Sequence, residues 1–335
     1  MTPRRRILPV FIPHLGCPHA CVFCNQREIT AAPGSEAQNE PLDELNRLLD
    51  LPPDGSEREL AFYGGSFTAI PASRQISFLE PAARALADGR IHSIRLSTRP
   101  DAVDPETLAR LRAYGVKTVE LGAQSMRDEV LLRSGRGHTA QDVRDAAKMV
   151  LDAGFQLVLQ MMTGLPGDDD DGALYTAHEL IALRPDAVRI YPAVVVRGTR
   201  LAGLWRAGEY REHTVEDAVR VCAALLPLFE AAGIPVIRLG LNPTEELSGG
   251  AALAGAYHPA LGELVRSRIL RNRLEEQLSA MDCRGRTVLL TVPRNLLSQA
   301  VGQHRGNVLW LQDRFRLQEL QVQSGETPEP ILTIL

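Results

Sequence analysis

The stretch RILPVFIPHLGCPHACVFC, residues 6–24, joins a β-rich apolar run, Arg6 to Ile12, to three closely spaced cysteines, Cys17, Cys21 and Cys24. Pro13 ends the run. Runs of the same kind recur at Glu59 to Tyr63, closed by Gly64-Gly65, and at Ile91 to Thr98, closed by Pro100. Thr118 to Leu121, Gln156 to Met162, Ala187 to Tyr191 and Val236 to Leu241 follow. Their Gly and Pro boundaries and apolar content predict strands buried on both faces.

Helical spacing fills the intervals. Ala72 to Asp88 carries Ile76, Leu79, Ala83 and Leu86 on one side. Pro105 to Tyr114 starts with proline behind Asp104 as N-cap, and Thr139 caps a segment that reaches Ala153 before Gly154. Val215 to Ala232 ends at Gly233. Strand, helix, strand repeated about six times predicts an α/β fold with a parallel sheet and right-handed crossovers. The reading is a partial (β/α)6 barrel over residues 1–242; an open doubly wound sheet is the alternative. Functional residues then belong where strands end and loops lead into helices.

Beyond Leu241 the rhythm changes. Asn242 to Pro259 is rich in Gly and Ala and has no clear period. Gly262 to Ala280 reads as a helix, Arg286 to Val292 as a strand, Asn295 to Gln303 and Asn307 to Phe315 as helices, and Leu317 to Val322 as a strand. Residues 243–335 therefore form a small C-terminal α/β extension.

The 335 residues carry 37 basic and 41 acidic side chains, a net charge of −4, and 44% hydrophobic content. This is globular composition, which excludes collagen-like and disordered classes. Five cysteines are too few and too uneven for a disulfide framework, and no apolar run nears the ~20 residues of a membrane span. The opening Met1 to Pro9 is too short and too charged for a signal peptide. A cytoplasmic protein with reduced thiols is expected, where clustered cysteines bind metal.

The spacing C-x3-C-x2-C lets three thiolates reach one centre if a loop wraps around it. Thiolates favour zinc or iron–sulfur clusters, and the fourth ligand decides between them. A structural zinc site is closed and four-coordinate, so it needs another Cys or His; His14 and His19 are the candidates. On that alternative the chain is a zinc-stabilised, non-catalytic, RNA-binding barrel. A [4Fe–4S] cluster on three cysteines instead leaves one iron open. Cys222 reads as a core residue in a helix and Cys283 as a surface thiol in a loop.

This cysteine spacing, with Phe23 before the last cysteine, resembles the radical S-adenosylmethionine superfamily. Phe62-Tyr63-Gly64-Gly65-Ser66-Phe67-Thr68 resembles the glycine-rich turn after that fold's second strand. Ser97-Thr98-Arg99-Pro100-Asp101 and Glu120-Leu121-Gly122-Ala123-Gln124-Ser125 follow in order. So do Arg136-Gly137-His138-Thr139 and Gly164-Leu165-Pro166-Gly167. Together with Ala254-Gly255-Ala256-Tyr257-His258-Pro259, they resemble the branch of elongator-type tRNA-modifying enzymes and oxygen-independent coproporphyrinogen oxidases.

The resemblance implies that Cys17, Cys21 and Cys24 hold three irons of a [4Fe–4S] cluster and that S-adenosyl-L-methionine occupies the fourth. The reduced cluster then cleaves the cofactor to methionine and a 5′-deoxyadenosyl radical, with a flavodoxin- or ferredoxin-type electron donor as partner. Phe23 would shield the cluster near the adenine, its alternative being a core aromatic. The turn at Gly64, Gly65 and Ser66 suits the methionine end, because glycine admits close backbone approach. Arg136 would meet the cofactor carboxylate, and Gln124 the ribose or carboxylate; otherwise they are a solvated arginine and amide.

Two positions depart from the relatives: Ser97 replaces a glutamate, and Gln160 stands where His or Asp is common. Ser97 keeps one hydrogen bond to a ribose hydroxyl but brings no charge. About ninety residues follow Asn242 and carry no acetyl-coenzyme A signature, so a full elongator-type reaction is not expected. The substrate is unassigned, with tRNA as the candidate. Arg266, Arg268, Arg271 and Arg273 could face phosphates, although in an acidic chain the solvated face of an amphipathic helix is the preferred reading. Asp168 to Asp171 read as a solvated first turn, while Tyr191 and His258 are candidate groups near the substrate.

Overall fold

The computed structural model describes residues 4–12, 17, 21–24, 41–245 and 247–335. His14 and His19, the two histidines weighed as zinc ligands, lie outside the described residues. The chain divides into two compact units, Met1–Thr214 with Leu228–Tyr257, and Val215–Pro227 with His258–Leu335.

In the first unit, β1 (Arg5–Ile12) leads through α1 (Pro41–Leu49) to β2 (Glu57–Gly64), α2 (Ala72–Ala87) and β3 (Ser93–Thr98). Next come α3 (Pro105–Ala113), β4 (Val116–Gln124), α4 (Asp128–Arg133), α5 (Ala140–Asp152) and β5 (Gln156–Thr163). After α6 (Asp170–Ala182) follow β6 (Ala187–Pro192), β7 (Val194–Val196) and α7 (Arg200–Arg206). Then α8 (Val215–Ala231), which crosses the division between units, leads to β8 (Val236–Leu239) and β9 (Ala252–Gly255).

Seven strands pair in the order β1-β2-β3-β4-β5-β6-β8, every pair parallel. All seven apolar runs are therefore strands. Neighbours in the sheet follow chain order with no reversal, so the sheet is singly wound and the doubly wound alternative is excluded. The result is a partial barrel of seven strands, with β1 and β8 as its edges.

The strands are not apolar on both faces, as their composition suggested. Side chains alternate along a strand. Leu60 and Phe62, Ile94 and Leu96, Val119 and Leu121, and Val188 and Ile190 are buried to within 1% on the face that packs the helices. The opposite face carries Glu59, Arg95, Glu120, Gln160 and Arg189, charged and amide groups that bond one another. Two-sided burial holds, but on the concave side it is polar burial.

Beneath β2, the rings of Phe62, Phe67 and Phe78 form a triangle with centroids 4.9, 5.9 and 6.3 Å apart. Phe78 is fully buried. Phe78→Ala should cost ~3–5 kcal/mol, read as a lower midpoint in urea denaturation.

Two strands of this unit escaped the periodicity. β7 pairs antiparallel with β9, which comes from the Gly- and Ala-rich stretch beyond Asn242. There Gly255 has φ +93°, and a Cβ on it would lie 2.9 Å from the carbonyl oxygen of Ala193. Small residues let β9 lie against β7, and they also erase the apolar alternation that marks a strand.

The second unit contains the start of α8, then α9 (Leu261–Ser279), β10 (Thr287–Pro293), α10 (Leu297–Val301), α11 (Gly306–Arg314), β11 (Glu319–Gly325) and β12 (Ile331–Ile334). Its sheet runs β11-β10-β12, with β10 parallel to β11 and antiparallel to β12. Leu270, Leu274 and Leu278 pack against Val288, Leu290 and Leu320. Cys283 belongs to this core and is 3% exposed, which corrects its reading as a surface thiol. The loop folds back on the end of α9, and the Cys283 thiol donates to the Leu278 carbonyl.

Candidate active site

The loop after β1 is pinned at its cysteine end. Val22 is buried, its N–H donates to Ser134 O at 3.0 Å, and its carbonyl accepts from Leu201 N–H at 2.7 Å. The Cys24 N–H closes a turn on Cys21 O at 3.1 Å. Around these anchors Cys17, Cys21 and Cys24 are half-buried free thiols. Cys17 Sγ lies 3.5 Å from Ser66 Oγ, and Arg136 Nη1 donates to Cys21 Sγ at 3.3 Å.

Arg136 is held from both ends. Its carbonyl accepts from Arg99 Nη2, and Arg99 is itself fixed by two bonds to Asp101, 2.9 and 3.1 Å long. Its Nη2 donates to Gly122 O at 2.7 Å. His138 is pushed down to about 4 by burial and by Arg136, and its neutral ring lies 3.2 Å from Ala123 O. The structure thus aims Arg136 at a cysteine sulfur, where the sequence suggested a cofactor carboxylate.

β4 ends in a bulge between Gly122 and Gln124, and Gln124 has φ +66°. Such irregularities re-aim a side chain at a strand end. Gly122 leaves room for this amide: a Cβ there would lie 2.8 Å from Gln124 Nε2 and displace it. Gly64, at φ +99°, brings the end of β2 close to Ile12, whose backbone would lie 3.3 Å from an added Cβ.

A cavity of about 320 Å³ opens beside Phe23, Cys24, Gly64 and Gln124. Phe11, Met162, Tyr191, Val194 and Val196 supply apolar wall. Ser97, Glu120, Gln160 and Arg189 supply the polar part. The structure therefore brings Phe23, Cys24, Gly64, Ser97 and Gln124 to one cavity, with Ser66 and Arg136 against the other two cysteines. His258 is in the second unit, where its Nδ1 accepts from the Ala260 N–H at 3.1 Å.

Glu120 opens the motif Glu120-Leu121-Gly122-Ala123-Gln124-Ser125, and its role emerges only in the fold. It is fully buried on β4. Oε1 accepts from Arg95 at 2.7 Å, Arg189 at 3.0 Å and Tyr63 at 3.3 Å; Oε2 accepts from Gln160 at 3.0 Å and Ser97 at 3.4 Å. The two positions that depart from the relatives, Ser97 and Gln160, both bind this carboxylate. Ser97 is thus engaged by Glu120, which adds the charge that position 97 lacks. Burial opposes the charge of Arg95 and of Arg189, yet Glu120 together with Glu59 and Tyr63 around the first, and with Tyr191 and Tyr63 around the second, holds both guanidiniums above their ordinary range. Burial and the same carboxylate push the Tyr63 phenol up. The available signal was a charge set inside an apolar run at Ile94-Arg95-Leu96, Val119-Glu120-Leu121 and Val188-Arg189-Ile190.

The acidic turn before α6 also differs from its reading. Asp169 is the N-cap, accepting from Gly172 N–H at 2.7 Å. Asp168 is not solvated; burial pushes it up to about 6. Between about 4 and 6 the folded state binds the extra proton, so this group lowers stability as pH rises through that window. Asp168→Asn should therefore raise Tm at pH 7.5 and have little effect at pH 4, measured by calorimetry at both.

Of the four arginines on α9, Arg268 pairs with Glu216, and Arg271 lies 4.3 Å over the Trp310 ring. Arg266 and Arg273 are exposed. Two of the four side chains are thus committed inside their own unit.

The donor set fits an iron–sulfur cube. Three half-buried free thiols stand on the loop after β1, and thiolates are the ligands such clusters take. A cube spreads its protein sulfurs over separate irons. Among the described residues no helix is long and apolar enough to cross a membrane.

The chain is 30% identical over 204 residues to Elongator complex protein 3 of Mus musculus, covering 55% of this chain and 37% of the mouse protein. It is 28% identical over 245 residues to the tRNA uridine(34) acetyltransferase of Methanocaldococcus jannaschii, covering 61% and 45%. It thus spans less than half the length of either relative. Among solved structures, archaeal Elp3 from Methanocaldococcus infernus superposes with TM-score 0.60 at 20% identity, over 90% of this chain and 68% of that one. Coproporphyrinogen III oxidase from Escherichia coli gives 0.51 at 17%, over 69% and 53%. Both show the same fold. The Radical SAM superfamily model matches residues 11–180 and the Radical_SAM C-terminal domain model residues 185–271. That family consists of enzymes using a [4Fe–4S] cluster and S-adenosylmethionine, which displaces the zinc-barrel alternative. With more than half of its residues inside the first match, the chain belongs to the Radical SAM superfamily.

Proposed function

We propose that this enzyme is an elongator-like radical S-adenosylmethionine protein that removes a hydrogen atom from a nucleotide of tRNA. The bound cofactors supply one-electron cleavage of a sulfonium and hydrogen-atom abstraction. What carries the reading is the coincidence of the cysteine loop with a nucleoside-sized, part-aromatic cavity at the strand ends. Similarity to the tRNA uridine(34) acetyltransferase of M. jannaschii supports tRNA as the substrate class.

On this reading Cys17, Cys21 and Cys24 hold three irons, and Arg136 and Ser66 donate to ligand sulfurs. Gly64, Gly65 and Ser66 receive the methionine end of the cofactor. Ser97 and Gln124 meet its ribose, and Phe23 covers the adenine and excludes water. A flavodoxin- or ferredoxin-type protein supplies the electron.

The test is anaerobic reconstitution with iron and sulfide, reduction, and measurement of 5′-deoxyadenosine with and without bulk tRNA. Release that tRNA accelerates at least tenfold is expected. Equal release with and without tRNA removes the substrate half. No release from a fully formed cluster removes the catalytic half.

A further inference from the structure

The concave face of the sheet carries an unbalanced charge. Arg95 is matched by Glu59 and Glu120, each 2.7 Å away, and Arg189 is matched by Glu120 at 3.0 Å. Two carboxylates thus neutralise two guanidiniums. A third guanidinium, Arg238 on β8, stands directly beside Arg189 in the sheet register. Its Nε donates to Gly240 O at 2.8 Å, and no carboxylate pairs with it among the described residues. Like charges at paired positions of a sheet repel.

The surroundings point the same way. Arg189 Nε is buried without a hydrogen-bond partner. Its Nη1 donates to the Tyr191 hydroxyl at 3.4 Å, leaving the phenolic proton free to be donated. Burial and Arg189 both work against the charge on Arg238, whose pKa is lowered. Arg189 and Tyr191 line the cavity, and so do Leu241 and Asn242, just beyond the strand that carries Arg238. Guanidinium groups bind phosphate by charge-assisted, often bidentate, bonds.

We propose that Arg189, Arg238 and Tyr191 form a phosphate subsite at the β6–β8 end of the cavity, which seats the phosphate of the substrate nucleotide. The proposal rests on the tRNA reading only for the source of that nucleotide. Glu120 is a positioning residue here: with the Tyr63 hydroxyl it holds Arg189 by Nη2, which fixes the guanidinium beside Tyr191 and Arg238.

The test uses the full reconstituted chain saturated with S-adenosylhomocysteine, so that the cofactor site is filled. Titration calorimetry then compares uridine 5′-monophosphate with uridine, with inorganic phosphate as competitor. The monophosphate should bind at least tenfold more tightly, and inorganic phosphate should displace it. In Arg238→Met the preference should fall to about unity, while Arg273→Met, in the other unit, should retain it. Circular dichroism of each variant checks folding. Equal affinities for the two ligands, binding of neither, or a preference that survives Arg238→Met overturns the subsite. Phosphate-dependent binding without any tRNA-stimulated release of 5′-deoxyadenosine would retain the subsite and remove the tRNA reading.

Discussion

Glu120→Gln should destabilise the partial-barrel unit by ~3–5 kcal/mol, because it leaves buried guanidiniums without their counter-charge. Glutamine keeps the volume but can accept only through one oxygen, whereas both carboxylate oxygens of Glu120 are used. Arg95 retains Glu59, so the loss falls mainly on Arg189, whose carboxylate partner among the described residues is Glu120 alone. Glu120→Gln with Arg189→Met should therefore recover at least half of the deficit. Urea denaturation of the two single variants and the double variant measures this coupling as a double-mutant cycle. Strict additivity would mean that the two side chains do not act as a pair.

Cys21→Ala and Arg136→Met should separate holding the cluster from tuning it. Alanine at position 21 removes one of three protein sulfurs, and reconstituted iron and 5′-deoxyadenosine release should both collapse, the latter at least a thousandfold. Methionine at position 136 keeps the sulfurs and removes the N–H that lies 3.3 Å from Cys21 Sγ. Hydrogen bonds to cluster sulfurs stabilise the reduced, more negative state, so their loss lowers the potential. A differential interaction of about 1.4 kcal/mol corresponds to about 59 mV for one electron, so a negative shift of tens of millivolts is expected. Electron paramagnetic resonance during redox titration reads this independently of turnover. An unchanged midpoint with full iron content would leave Arg136 free of any role on the sulfur.

The sheet was legible because seven apolar runs are separated by amphipathic helices and closed by Gly or Pro. Its concave face was not, since the charges at Arg95, Glu120 and Arg189 are single residues set inside those runs. Their meaning depends on strands 25 to 69 residues apart being placed in register. Cysteine spacing located the candidate site at once, as local chemistry does. The direction of Arg136 required Arg99 and Asp101, which bond across the strand ends. β9 was hidden by its own small residues, and Cys283 by a loop whose return to α9 leaves no periodic trace.

Because adjacent strands of the barrel unit are consecutive in the chain, each one that leaves the ribosome finds its docking edge already synthesised. The growing sheet can lengthen by one ribbon at a time without waiting for a distant segment, which shortens the interval during which raw edges are available for aggregation. The carboxylate on the fourth ribbon meets its first cation, from the third, as soon as those two zip together. Its second cation arrives only with the sixth, so the nascent chain carries a half-neutralised interior until that step locks it.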